Sequence, residues 1–153
     1  MSTINGLPAH VLLVHGVVVL VPLTAALLIL CALWRAARSR LIWLTAGLAV
    51  LVTALTPLTV QAGWWFKEKV GSTPAIDHHA QLGRLMTYFV VPLLIAAILL
   101  VVVHVREQRD QAFGRVALAV VAVLVLAAGA GAMVQAYRVG DSGAHAVWGG
   151  IAA

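Results

Sequence analysis

The sequence predicts an all-α fold, a four-helix transmembrane bundle threaded up-down-up-down, forming one domain over 1–153 with both termini on the outer side. Three observations lead there. Of the 153 residues 63% are hydrophobic and 10% charged, at a mean hydropathy of +1.03, whereas a soluble domain is roughly 25% charged. Such a chain has too little polar surface to coat itself in water. Lipid lifts that requirement but obliges every backbone N–H and C=O to bond internally, which leaves helices or a closed barrel. The apolar runs are long and unalternated, which selects helices. Each of the four runs also meets or exceeds the ~20 residues that cross a bilayer.

The first helix is expected over 7–34, with Pro8 suited to a first turn, where a missing N–H costs nothing. A cleaved signal peptide is not expected, because no basic segment precedes the run and Arg35, Arg38 and Arg40 follow it as a stop-transfer pattern. The second helix spans 41–60. Its Thr53, Thr56 and Thr59 stay roughly on one face beside Pro57, where their hydroxyls can satisfy carbonyls freed by the proline. The third spans 73–104, with Thr73 as N-cap and Pro74 at the first helical position. The fourth spans 115–137, and its Ala127-Ala128-Gly129-Ala130-Gly131-Ala132 stretch allows close helix packing. Residues 138–153 are left as a short polar outer tail.

Orientation follows from the basic residues of the short loops, which are retained in the cytoplasm. Arg35, Arg38, Arg40, Arg106, Arg109 and Arg115 stand on one side, and Lys67, Lys69 and Arg138 on the other. That puts the N-terminus, the middle loop and the C-terminus outside, with Trp34 and Trp43 in one interfacial belt and Trp64, Trp65 and Trp148 in the other. The same clusters account for the net charge of +5 without nucleic acid, since no aromatic residues interleave them. Cys31 stands alone and reads as a small apolar residue.

The halves carry traces of duplication: Val21-Pro22-Leu23 recurs as Val91-Pro92-Leu93, Leu48-Ala49-Val50 as Leu118-Ala119-Val120, and Val60-Gln61-Ala62 as Val134-Gln135-Ala136. A true repeat makes two parallel hairpins about an axis normal to the membrane, with helices one and three facing diagonally.

Polar side chains in hydrocarbon are costly, so each is a candidate for function. Five of the six histidines, His10, His15, His78, His79 and His145, fall on the outer side; His104 falls on the inner. His15 and His79 can point into the outer mouth of the bundle, with Gly16 and Gly83 making room for a flat cofactor or an ion. The expected cofactor is haem b held between His15 and His79, with Cu or Zn as the alternative. Arg84 would hold a haem propionate, and Asp77 shares its helical face as a charge partner. For a metal, Asp77 and His10 join His15 and His79 as candidate ligands. Depth leaves two alternatives open. Aligning Pro22 with Pro92 sets His15 and His79 about 9 Å apart along the axis, at 1.5 Å per residue, whereas counting from the helix starts sets them nearly level. His145 falls in the polar tail, and Gln61 and Gln135 end helices two and four on the outer side.

Catalysis finds no support: no nucleophile stands beside a base, no carboxylates pair, and no glycine loop is built for phosphate. An enzyme is therefore not expected. A transporter is disfavoured, because no acidic residue lies at a membrane centre. The expected surroundings are the lipid bilayer and a membrane-protein partner or a second copy of the chain. The alternative to cofactor binding is a non-catalytic accessory subunit of a larger, respiratory-type membrane complex.

The opening Gly6-Leu7-Pro8-Ala9-His10-Val11-Leu12-Leu13-Val14-His15, the Gln61-Ala62-Gly63-Trp64 after helix two, His79-Ala80-Gln81-Leu82-Gly83 and the closing Gly140-Asp141-Ser142-Gly143-Ala144 resemble a bacterial family, domain of unknown function 2231, in an actinobacterial form. The resemblance covers nearly the whole chain. It implies a small four-span protein of the plasma membrane, often with histidines at the positions of His10, His15 and His79, and it implies no particular activity. The histidine pattern is similar to that of small membrane cytochromes. It departs from two-haem b-type cytochromes because only His104 is available for a second ligand pair inside.

Overall fold

The computed structural model describes residues 3–4 and 7–149, with side chains from Ala9 onward. Thr3–Ile4 (β1) and Leu7–Pro8 (β2) pair antiparallel just ahead of the first helix. Four helices follow: α1 Ala9–Leu33, α2 Arg35–Val70, α3 Pro74–Gln108 and α4 Arg115–Trp148. All four are long and apolar enough to cross a membrane. They run up-down-up-down, with α1 and α3 each packed against both α2 and α4, and with the α1–α3 diagonal closer than the other.

The apolar stripe of each helix meets its neighbours in one continuous core, where Val21, Leu28, Ile42, Val52, Val90 and Leu93 are fully buried. Outside it, Val19, Leu44, Ile98, Val116 and Val123 remain more than half exposed, which is the dress of a lipid-facing surface rather than a wetted one. The small residues of α4 serve contacts inside the bundle. A Cβ on Gly129 would lie 2.8 Å from Ile29 of α1, and one on Gly131 would lie 3.4 Å from Phe89 of α3.

Thr73 caps α3 as its sequence suggests, accepting a hydrogen bond from the Ile76 amide at 3.3 Å, with Pro74 in the first turn. Pro8 falls in β2, one residue before α1 starts. The hydroxyls beside Pro57 behave otherwise than expected. Thr53, Thr56 and Thr59 donate to the carbonyls of Ala49, Val52 and Leu55, each one turn back. The Thr53 carbonyl, which the proline leaves without its amide, is not among them.

Helix ends differ most from expectation. The arginine segment 35–40 opens α2, separated from α1 by the single non-helical residue Trp34 (φ −129°, ψ 109°). At the far end α2 runs ten residues past Val60, to Val70, and α4 continues through the supposed tail to Trp148; the last residues of that tail, 150–153, and Gly6 lie outside the described residues. At 1.5 Å per residue α2 is about 54 Å long, against a hydrocarbon layer of about 30 Å. The bundle therefore has an arginine end, where α1 stops and α4 starts, and a histidine end, where α2, α3 and α4 extend together.

Candidate functional site

At the histidine end the four helices part around a cavity of about 630 Å³. His10, His15, His79, Gly83 and Arg84 line it, so five of the six candidate site residues converge on one space. The ring that faces His79 is that of His10, at 6.2 Å between centroids with the planes at 72°. A second ring, Phe66 of α2, lies 6.2 Å from His10 on another side.

This settles the question of depth. The offset of 70 residues that carries Pro22 onto Pro92 also carries His10 onto Ala80, next to His79. The proline register thus describes the bundle, and it pairs His79 with His10. His15 stands further along α1 on the cavity wall, exposed, with its Nδ1–H given to the Val11 carbonyl one turn back at 2.5 Å.

Each of the facing histidines is held by the even-numbered helix of its own hairpin. His10 Nδ1 lies 3.1 Å from the Thr59 carbonyl, which can only accept, so the proton is on Nδ1. His79 Nδ1 lies 3.0 Å from Ser142 Oγ. The Ser142 hydroxyl donates to the Val139 carbonyl at 3.0 Å, so here too the imidazole is the donor. Glycines make the approach possible. A Cβ on Gly63 would stand 2.9 Å from His10 Cε1, and one on Gly143 would stand 3.1 Å from His79 Cε1. With Nδ1 engaged, Nε2 of each ring keeps its lone pair, and neither is sealed in the protein interior without a partner. Orientation of one ring nitrogen by a protein acceptor, with the other left basic, is how ligating histidines are held.

Room is available beside the rings. A Cβ on Gly16 or Gly83 would touch nothing within 4 Å. Charge comes from Arg84 and Lys67, both on the wall. Lys67 also lies 5.0 Å from the Trp64 ring.

Asp77 does not join the site. Its carboxylate pairs with Lys67 at 2.8 Å and accepts from Ser72 at 2.5 Å, clasping the turn between α2 and α3. The expected Asp77–Arg84 pair is thus replaced by Asp77–Lys67, because the extension of α2 brings Lys67 to the start of α3. His145, expected in a loose tail, sits on α4 and bonds the Asp141 carbonyl at 3.0 Å. The two glutamines related by the repeat part ways: Gln61 is exposed, while Gln135 is buried and donates to the Leu82 carbonyl at 2.8 Å, tying α4 to α3. Among the described residues no three His, Cys, Asp or Glu side chains converge as a metal site would require.

Gly63, Ser142 and Gly143 lie in segments that carry the family resemblance and Thr59 in the threonine series of α2, but neither pattern tells of their contacts with the histidines. Gly143 falls in a stretch that reads as tail, and Ser142 matters only because the helix continues under it.

The family described as predicted membrane protein (DUF2231) matches residues 6–151, and the chain belongs to it. No curated protein and no solved structure matches.

Proposed function

We propose that this protein holds haem b in the cavity at the histidine end, with His10 and His79 as axial ligands, for one-electron transfer or cofactor handling at the outer face of the plasma membrane. The observation that carries this reading is the pair of imidazoles. They come from opposite hairpins, each is fixed through Nδ1, and each keeps Nε2 free beside a space of about 630 Å³.

The number of ligands favours a macrocycle over a bare ion. A Zn site takes three or four protein ligands, and two are at hand. Haem brings its own equatorial nitrogens and asks the protein for one or two axial side chains. Apolar neighbours such as Val14, Val18 and Val147 suit the ring, and Arg84 suits its carboxylates. His10 takes the ligand role first given to His15, because His10 is the ring that meets His79. The accessory-subunit reading leaned on the small residues of α4, and Gly129 and Gly131 are occupied within the bundle.

The test is the visible spectrum of the detergent-purified protein, oxidised and dithionite-reduced, with metal analysis. A Soret band with sharp reduced bands is expected, lost in His10→Ala and in His79→Ala and kept in His15→Ala. A colourless, metal-free protein rejects the reading.

A further inference from the structure

At the arginine end, α2 starts directly after Trp34, and its first amides have been left open. Those of Arg35 and Ala36 meet no backbone acceptor, Trp34 offers no side-chain cap, and no acidic residue stands in the first turn. The Trp34 N–H is itself given to the Leu30 carbonyl at 2.9 Å, but orphan donors such as those of Arg35 and Ala36, with the positive end of the helix dipole behind them, attract anions. Arg35 and Ala36 border a cleft of about 510 Å³ between this junction and the end of α3, and Trp34, His104 and Gln108 border it with them.

His104 supplies an independent sign of a ligand. The residue is 7% exposed, yet its ring meets no hydrogen-bond partner among the described residues. It touches Trp43 edge-on at 6.3 Å and lines the cleft, and its nitrogens are not sealed from it. A buried imidazole ordinarily finds a partner. Here the partner's place is the cleft.

The charge of the cleft is positive. The one carboxylate in its wall, Glu107, is taken by Arg38 through bonds of 2.7 and 3.1 Å, and Arg35 Nε stands 3.8 Å from the same carboxylate. Two guanidiniums against one carboxylate leave a cation over. Ser39 adds no free donor, since its hydroxyl is given to the Ala36 carbonyl at 2.9 Å.

We infer that this cleft binds a phosphate group, seated on the first amides of α2 with the Arg35 guanidinium and a ring N–H of His104 as side-chain donors. A phospholipid headgroup and a soluble phosphate compound share this chemistry. Trp34 and Leu33, both more than half exposed beside the cleft, give an acyl chain a surface to lie on.

The full-length protein in a non-ionic detergent is tested with two probes. Phosphatidylglycerol is followed by native mass spectrometry against phosphatidylcholine, and inorganic phosphate by phosphorus NMR line width. Ala36→Asp is the decisive variant. It places a carboxylate where the phosphate would sit, and in a first helical turn that change favours the helix, so lost binding is not lost folding. We expect Ala36→Asp and His104→Phe each to weaken binding about tenfold, while Arg106→Gln, outside the cleft, leaves it unchanged. Selective retention of phosphatidylglycerol identifies a lipid as the source. Phosphate broadening without lipid selectivity identifies a soluble compound. Binding of neither probe, binding indifferent to Ala36→Asp and His104→Phe, or an equal loss in Arg106→Gln overturns the inference.

Discussion

At the arginine end, Arg38 and Glu107 are each less than a tenth exposed and meet through two hydrogen bonds. At the histidine end, Lys67 and Asp77 meet at 2.8 Å with the carboxylate 44% exposed, while His10 and His79 keep a ring nitrogen unengaged. The arginine end thus pairs its buried carboxylate inside the protein, with the cleft at Trp34 beside it, while the histidine end stays open around imidazoles. Arg38 shows what that pairing gains. It also donates to the Cys31 carbonyl at 2.6 Å, so a single guanidinium terminates α1, stands in the first turn of α2 and binds the last turns of α3. The arginine end is thus tied across three helices by one side chain, whereas no such tie joins the facing histidines among the described residues.

The comparison breaks most readily at Glu107. Glu107→Ala leaves Arg38 buried without its partner and is expected to cost about 3–5 kcal/mol, read from unfolding in detergent. The double change Arg38→Met with Glu107→Leu should recover most of that loss, since removing both charges spares their desolvation. Gly63→Ala is next. The new methyl would meet His10 at 2.9 Å, and the ring is a side-chain tip that can swing away. The thermal midpoint should stay near that of the unaltered protein, helped by alanine's helix preference of about 1 kcal/mol over glycine, while the haem bands weaken strongly. Gly143→Ala, with 3.1 Å to His79, should weaken the same bands less. Asp77→Asn is the smallest: the pair it breaks is exposed, so no measurable change in midpoint is expected. A large loss there would mean that the histidine end is not the loosely held one.

The spans and their threading could be read from hydropathy because lipid imposes one rule on every buried segment, and Thr73-Pro74 marked the start of α3 by local chemistry alone. The ends of α2 and α4 could not be read that way. Beyond the bilayer a helix no longer needs an apolar face, so Lys67-Glu68-Lys69 and Gly140-Asp141-Ser142 look like loop although both are helical. The His10–His79 pair was within reach through the repeat, since the proline register sets His10 level with Ala80. Pairing His79 with His15, and giving His10 only a share in a metal site, hides it. The Arg38–Glu107 pair was out of reach, because Arg38 sits among arginines that explain topology and its partner is 69 residues away. The bonds that orient the two imidazoles depend on hairpin register, which periodicity alone does not supply.

Helices that outreach the hydrocarbon do not fix a single waterline. In a bilayer about 3 Å thicker, lipid would climb two residues further along α2, at 1.5 Å per residue. Trp64 and the α2 wall of the cavity lie along that same stretch of helix, so a shift in the level of the lipid alters what surrounds the cavity. How wet the cavity is, and with it the reduction potential of anything bound there, becomes a property of membrane thickness as well as of sequence.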